Sequence, residues 1–228
     1  MDKQHALLNL ARKRQATCYE GYTAIGDYDD GVWECDYISP FSLSSHNADA
    51  EILIILQDWC SEESFDMPVC RETISLGHTP SVRTNINLKR LLQQHFGKAL
   101  EDVYATNLFP FVKPGPMNAP IRAKDLARAA SDFTLPLIDI VQPEIAVCLG
   151  IASFNALRKA CGLKSVANVE EAVNSSFVHN HTRIFCQTHT GQLGQNNRNR
   201  GGVNRVERDW AAMKQMFDSK QAPVCLPC

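Results

Sequence analysis

Four short apolar runs constrain this chain more than any other feature of its sequence. The first, Glu51-Ile52-Leu53-Ile54-Ile55-Leu56, leads into Gln57-Asp58. The second is Asp102-Val103-Tyr104-Ala105-Thr106-Asn107-Leu108, and the third is Pro143-Glu144-Ile145-Ala146-Val147-Cys148-Leu149-Gly150. The fourth covers residues 182–188 and runs into His189. The first run does not alternate polar with apolar, so both faces of its strand must be covered. Between the runs lie segments of helical spacing at 87–96, 122–141 and 152–160, and another follows the last run at 206–217. Gly97 closes the first of these, and Pro136 predicts a local adjustment in the second because it lacks a backbone N–H. Strands alternating with helices predict an α/β fold, a three-layer αβα sandwich around a central, mainly parallel, four-stranded sheet.

The domain is expected over 49–217. Residues 1–48 form a lead-in belonging to the same domain, helical to about 17 and irregular after it, and 218–228 form a flexible tail. A chain of 228 residues with 44% hydrophobic content can bury one sizeable core. No run of about 18 apolar residues occurs, so no membrane partner is expected. The start Met1-Asp2-Lys3-Gln4-His5 lacks the apolar stretch of a secretory signal, and a cytoplasmic monomer is expected. Nine cysteines, an odd number, argue against a closed disulfide framework. Cys148 and Cys186 sit in apolar runs and read as small buried hydrophobes. Cys225-Leu226-Pro227-Cys228 has no matching second pair, and zinc and iron–sulfur sites need converging ligands, so no metal or other cofactor is expected.

The net charge of −2 excludes nothing, but its distribution is uneven. Between residues 183 and 208 stand five arginines (183, 198, 200, 205 and 208) against Glu207 alone. Such a stripe suits phosphates, although a solvated loop gives the same pattern. In parallel sheets, chemistry gathers beyond the C-terminal ends of the strands. Three strand ends carry suitable groups: Gln57-Asp58, Asn107 and His189. Asp58 can orient water or stabilise developing positive charge, or simply cap a turn. His189 can donate to an oxyanion, or be a satisfied structural histidine. Asn107 carries both donor and acceptor, suited to a base edge or to turn chemistry before Pro110. Their shared strand-end placement turns three weak signals into one stronger signal.

In order and spacing, residues 50–217 resemble the uracil-DNA glycosylase superfamily. Leu56-Gln57-Asp58-Trp59-Cys60 is similar to its Gly-Gln-Asp-Pro-Tyr motif, and His189-Thr190-Gly191-Gln192-Leu193 to its His-Pro-Ser-Pro-Leu motif. Thr106-Asn107 before a proline-containing loop, the run from Pro143 to Gly150, and Asp209-Trp210 resemble further family segments. The resemblance implies a monofunctional DNA glycosylase that flips a nucleotide into its pocket, cleaves the N-glycosidic bond and leaves an abasic site. It implies that Asp58 positions water and favours a cationic sugar, while His189 stabilises the departing base. Gln57 and Asn107 would contact the base, with Trp59 or Phe65 stacking on it unless either is simply core. Leu193 would fill the vacated stack, or anchor its loop, and Arg198, Arg200 and Arg205 would grip phosphates. The partner that the resemblance implies is DNA, duplex or single-stranded, with a role in base excision and repair. Iron–sulfur members of the family place cysteines in a pattern that this chain does not match.

Two departures qualify the resemblance. Cys60 stands where uracil-specific members carry a tyrosine that rejects 5-methyl groups, so a pocket tolerating uracil or 5-substituted pyrimidines is expected. That includes bulky ones such as the hypermodified cytosines of phage DNA, which would imply antiviral defence. The last motif also lacks both prolines, predicting a less preorganised His189 loop. A non-catalytic DNA-binding module on the same fold, and a hydrolase of free nucleosides, are the competing classes; the second leaves Leu193 and the arginines without a task.

Overall fold

The computed structural model describes residues 2–221. Its elements in chain order are α1 (Lys3–Gln15), β1 (Ile52–Asp58), α2 (Arg71–Leu76), α3 (Arg83–Phe96), β2 (Tyr104–Phe109), α4 (Ala123–Ala129) and α5 (Leu135–Val141). There follow β3 (Ile145–Leu149), α6 (Ile151–Ala160), α7 (Val169–Val173), β4 (Ser176–His179), β5 (Thr182–Gln187), α8 (Gln192–Arg198) and α9 (Arg205–Gln221). The sheet runs in the order β2-β1-β3-β5-β4, parallel except for β4 against β5.

The continuous apolar run of β1 follows from its central place. Its side chains alternate between two cores. Leu53 and Ile55 join Leu7 and Leu10 of α1, Leu137 of α5 and Phe154 of α6. Ile52, Ile54 and Leu56 meet Leu88 and Leu91 of α3, with Trp210 and Met213 of α9. Helices therefore cover both faces, the three-layer α/β sandwich that the runs require. Tyr19 and Ile38 of the lead-in enter the first of these cores.

The sheet has five strands rather than the four expected. In β4 only Phe177 is buried, and four residues on a sheet edge are too short and too polar to leave a pattern. The 122–141 segment is not one regular helix. A π-helical turn over Ala130–Thr134 joins α4 to α5, whose second residue is Pro136. Pro136 cannot bond the carbonyl of Asp132, and Lys13 of α1 donates to that oxygen at 2.8 Å instead. The stretch between His189 and the last helix contains a further short helix, α8. At the other end α9 runs past the expected boundary to Gln221. The remainder of the expected tail, Cys225 and Cys228 included, lies outside the described residues.

Candidate active site

Parallel pairing of β1 with β2 and, through β3, with β5 puts three strand ends along one edge of the sheet. Leu56 lies opposite Asn107, and Asp58 opposite Phe109. Beyond this edge opens a cavity of about 540 Å³. Its wall brings together Gln57, Asp58, Trp59, Cys60, Phe65, Asn107 and His189, every residue proposed from sequence for the base or the chemistry.

Asp58 closes β1 with its carboxylate almost buried. Oδ1 accepts the Gln57 amide at 2.7 Å, and Oδ2 lies 2.8 Å from the Lys113 ammonium. Lys113 is itself 3% exposed and also donates to the carbonyl of Met117 at 2.5 Å. The sequence reading missed Lys113. A lysine between prolines and glycines has the composition of a solvated loop, and only its contact with Asp58 reveals otherwise.

His189 follows β5 with an exposed outer edge. The walls around its inner side desolvate the ring and hold its pKa below the ordinary histidine value, with Asp58 pulling more weakly upward. The Gly191 N–H donates to Nδ1 at 3.0 Å, so the neutral ring carries its proton on Nε2. That leaves Nε2–H as a hydrogen-bond donor. The loop is braced without prolines: Asn87 donates to the Thr190 carbonyl at 2.8 Å, and Gln195 to the His189 carbonyl at 3.4 Å. Two glycines permit the packing. A Cβ on Gly194 would lie 2.2 Å from the His189 carbonyl oxygen, and one on Gly191 would lie 2.9 Å from Nδ1.

Asn107 is buried, and its Oδ1 accepts the Ser39 hydroxyl at 2.6 Å, which leaves the amide N–H donors for the cavity. Ser39 belongs to the lead-in, where no motif marked it. Cys60 forms a small, buried part of the wall; burial and the neighbouring Asp58 raise its thiol pKa far above the ordinary value, so it is neutral. Trp59 is fixed by its indole N–H, which donates to the Gly77 carbonyl at 2.8 Å. Phe65 already stacks on Tyr28 at 4.0 Å and 10°, which leaves one face at most for a ligand ring. His78, also unmarked by sequence, lies in the wall, stacked on Phe41 and largely buried.

Leu193 is the second residue of α8 and 79% exposed. Arg200 and Arg205 are exposed as well. Arg198 is not available as expected. Its Nε lies 2.6 Å and its second terminal nitrogen 3.0 Å from the two carboxylate oxygens of Asp209, and its other terminal nitrogen pairs with Glu170. The side chain is 8% exposed, and its guanidinium ties α8 to α7 and α9 rather than reaching phosphate.

Among the described residues, no group of three or more His, Cys, Asp or Glu side chains could hold a metal ion. Their seven cysteines are free thiols. No helix of the described residues is long and apolar enough to cross a membrane. The sequence matches no protein-family model and no protein of curated function.

Proposed function

We propose that the chain is a DNA glycosylase that hydrolyses the N-glycosidic bond of an extrahelical pyrimidine and leaves an abasic site. One observation carries the reading. An anionic Asp58 and a neutral His189 with its proton on Nε2 meet in one cavity at the C-terminal edge of the sheet. As the bond from C1′ to the base breaks, positive charge grows on the sugar and negative charge on the base. Asp58 offsets the first, and the Nε2–H of His189 donates to an oxygen bearing the second. The base leaves with the bonding electrons, water adds to C1′, and the proton that water loses ends on the released base. Asn107 presents N–H donors to a carbonyl on the base edge. Arg200 and Arg205 take flanking phosphates, and exposed Leu193 enters the vacated stack.

The cavity bears on the substrate. A volume of about 540 Å³ lies in the range that encloses a drug-sized ligand, more than a bare pyrimidine ring fills. With Cys60 in its wall, it accepts a 5-substituent. This extends the substrate class to modified pyrimidines, hypermodified phage bases among them.

A second reading, a DNA-binding module without catalysis, draws on the ion pair of Asp58 with Lys113, which occupies a carboxylate oxygen that would otherwise meet water. Base release from oligonucleotides carrying uracil, 5-hydroxymethyluracil or glucosylated 5-hydroxymethylcytosine decides between them. Release from any of the three, abolished in Asp58→Asn/His189→Ala while DNA binding persists, supports the enzyme. Binding with no release from all three overturns it.

A further inference from the structure

We infer that Lys113 is a positioning residue for catalysis: it sets the orientation of the Asp58 carboxylate and acts only through it. The inference rests on the glycosylase reading and adds to it a residue that no motif indicated.

The physical case begins with the cost of the lysine. A buried ammonium is expensive unless it is paired and hydrogen-bonded, and an apolar residue of similar volume is frequently as stabilising. Lys113 is 3% exposed and meets two oxygens, Asp58 Oδ2 at 2.8 Å and the Met117 carbonyl at 2.5 Å. Its own backbone is pinned. The Glu62 N–H donates to the Lys113 carbonyl at 3.0 Å, and the Gly115 N–H donates to the Glu62 carboxylate at 3.0 Å. On its other side, Val112 pairs with Thr23 through hydrogen bonds of 2.9 and 3.2 Å. The ammonium is therefore carried on a loop fixed from both flanks, and its reach ends at Asp58.

The carboxylate needs such a partner. Asp58 is the last residue of β1, so no residue of its own strand follows to restrain its side chain. The Gln57 side-chain amide donates to Oδ1 from the same strand, but one hydrogen bond leaves rotation of the carboxylate open. Lys113 supplies the second, charged restraint on Oδ2 from a different segment. Two restraints fix the plane. An anion aimed at C1′ stabilises charge only while its orientation is fixed before reaction, and a displacement of about 1 Å can cost about 100-fold in rate. Lys113 does not line the cavity and is buried, so it does not touch substrate and is not a catalytic residue itself.

The test is a double-mutant cycle on single-turnover base release from the best of the three modified oligonucleotides. Lys113→Met removes the charge and keeps the reach. It is expected to slow release about 10- to 100-fold in the Asp58 protein, with DNA affinity and its salt dependence unchanged. In the Asp58→Asn background, it should slow release no further, because the group it orients has gone. Lys113→Arg should lie closer to the parent. If Lys113→Met fails to fold, Lys113→Gln, which still donates to the Met117 carbonyl, takes its place. An equal fold loss in both backgrounds overturns the inference, since a purely structural lysine would act regardless of Asp58. So does a fall of about 0.9 in the slope of log affinity against log salt, which marks a phosphate ligand. If the unmutated protein releases no base, the glycosylase reading itself fails, and no variant is needed to see it.

Discussion

Gly194→Ala places the sharpest demand on the site. Alanine is the better helix former, so in the first turns of α8 propensity alone predicts a gain of about 1 kcal/mol. Sterics predict the opposite for the site. The new Cβ would lie 2.2 Å from the His189 carbonyl oxygen and 3.2 Å from the His189 Cβ. Ordinary contact begins at 3.4 Å, so the carbonyl must retreat by about 1.2 Å. That motion carries the imidazole with it and strains the bond from the Gly191 N–H that sets its tautomer. A displacement near 1 Å costs about 100-fold in a positioned reaction, and overpacking costs about 1–3 kcal/mol. The variant should therefore release base about 100-fold more slowly and gain no stability. Single-turnover release and urea unfolding read the two quantities separately. Wild-type release with raised stability would refute the claim that Gly194 exists to admit His189.

The same geometry makes four further demands. Burial holds the His189 pKa below its ordinary value, so the folded chain binds fewer protons there than the unfolded chain. This residue's share of stability should be full above the ordinary histidine value and fall as pH drops below it, whereas release, which follows the folded ring, should persist through that value and fall only as pH drops through the depressed one; an NMR titration of the ring should show a neutral, Nε2-protonated imidazole at pH 7. Cys60→Tyr should narrow the cavity and select against 5-substituted bases, so that release of a glucosylated base falls at least about 10-fold relative to uracil. An unchanged ratio in competition assays would remove Cys60 as the determinant. Arg198→Ala leaves the nearly buried Asp209 carboxylate without its partner and should cost about 3 kcal/mol in urea unfolding, with the salt slope of DNA binding unchanged. Arg200→Ala or Arg205→Ala should instead leave stability intact and lower that slope by about 0.9 each.

The candidate site was legible where position along a strand carries meaning. Asp58 ends β1, His189 follows the end of β5 and Asn107 stands two residues before the end of β2, and parallel strands deliver these C-terminal stretches to one edge. Arg198 was misread because the basic stripe was judged by its own charges. Its partners Asp209 and Glu170 lie 11 and 28 residues away, the first just past the stripe and the second far upstream. The His189 loop was expected to be loose for want of prolines, yet it is braced by Asn87 from α3 and by the close approach that Gly191 and Gly194 allow. β4 escaped notice because one buried phenylalanine in four residues makes no period.

The amino-acid sequence by itself determined the layering of this protein. A run such as 52–56, apolar at every position, short and rich in β-branched isoleucine, fits a strand covered on both faces, because side chains alternate along a strand and none here is polar. Tertiary structure alone decided which charges meet. Whether Lys113 faces water or Asp58, whether Arg198 waits for phosphate or closes a structural ion pair, and which nitrogen of His189 carries the proton depend on distances and desolvation between segments remote in the chain. These interactions vary steeply with separation and burial, and neither quantity is written in local order.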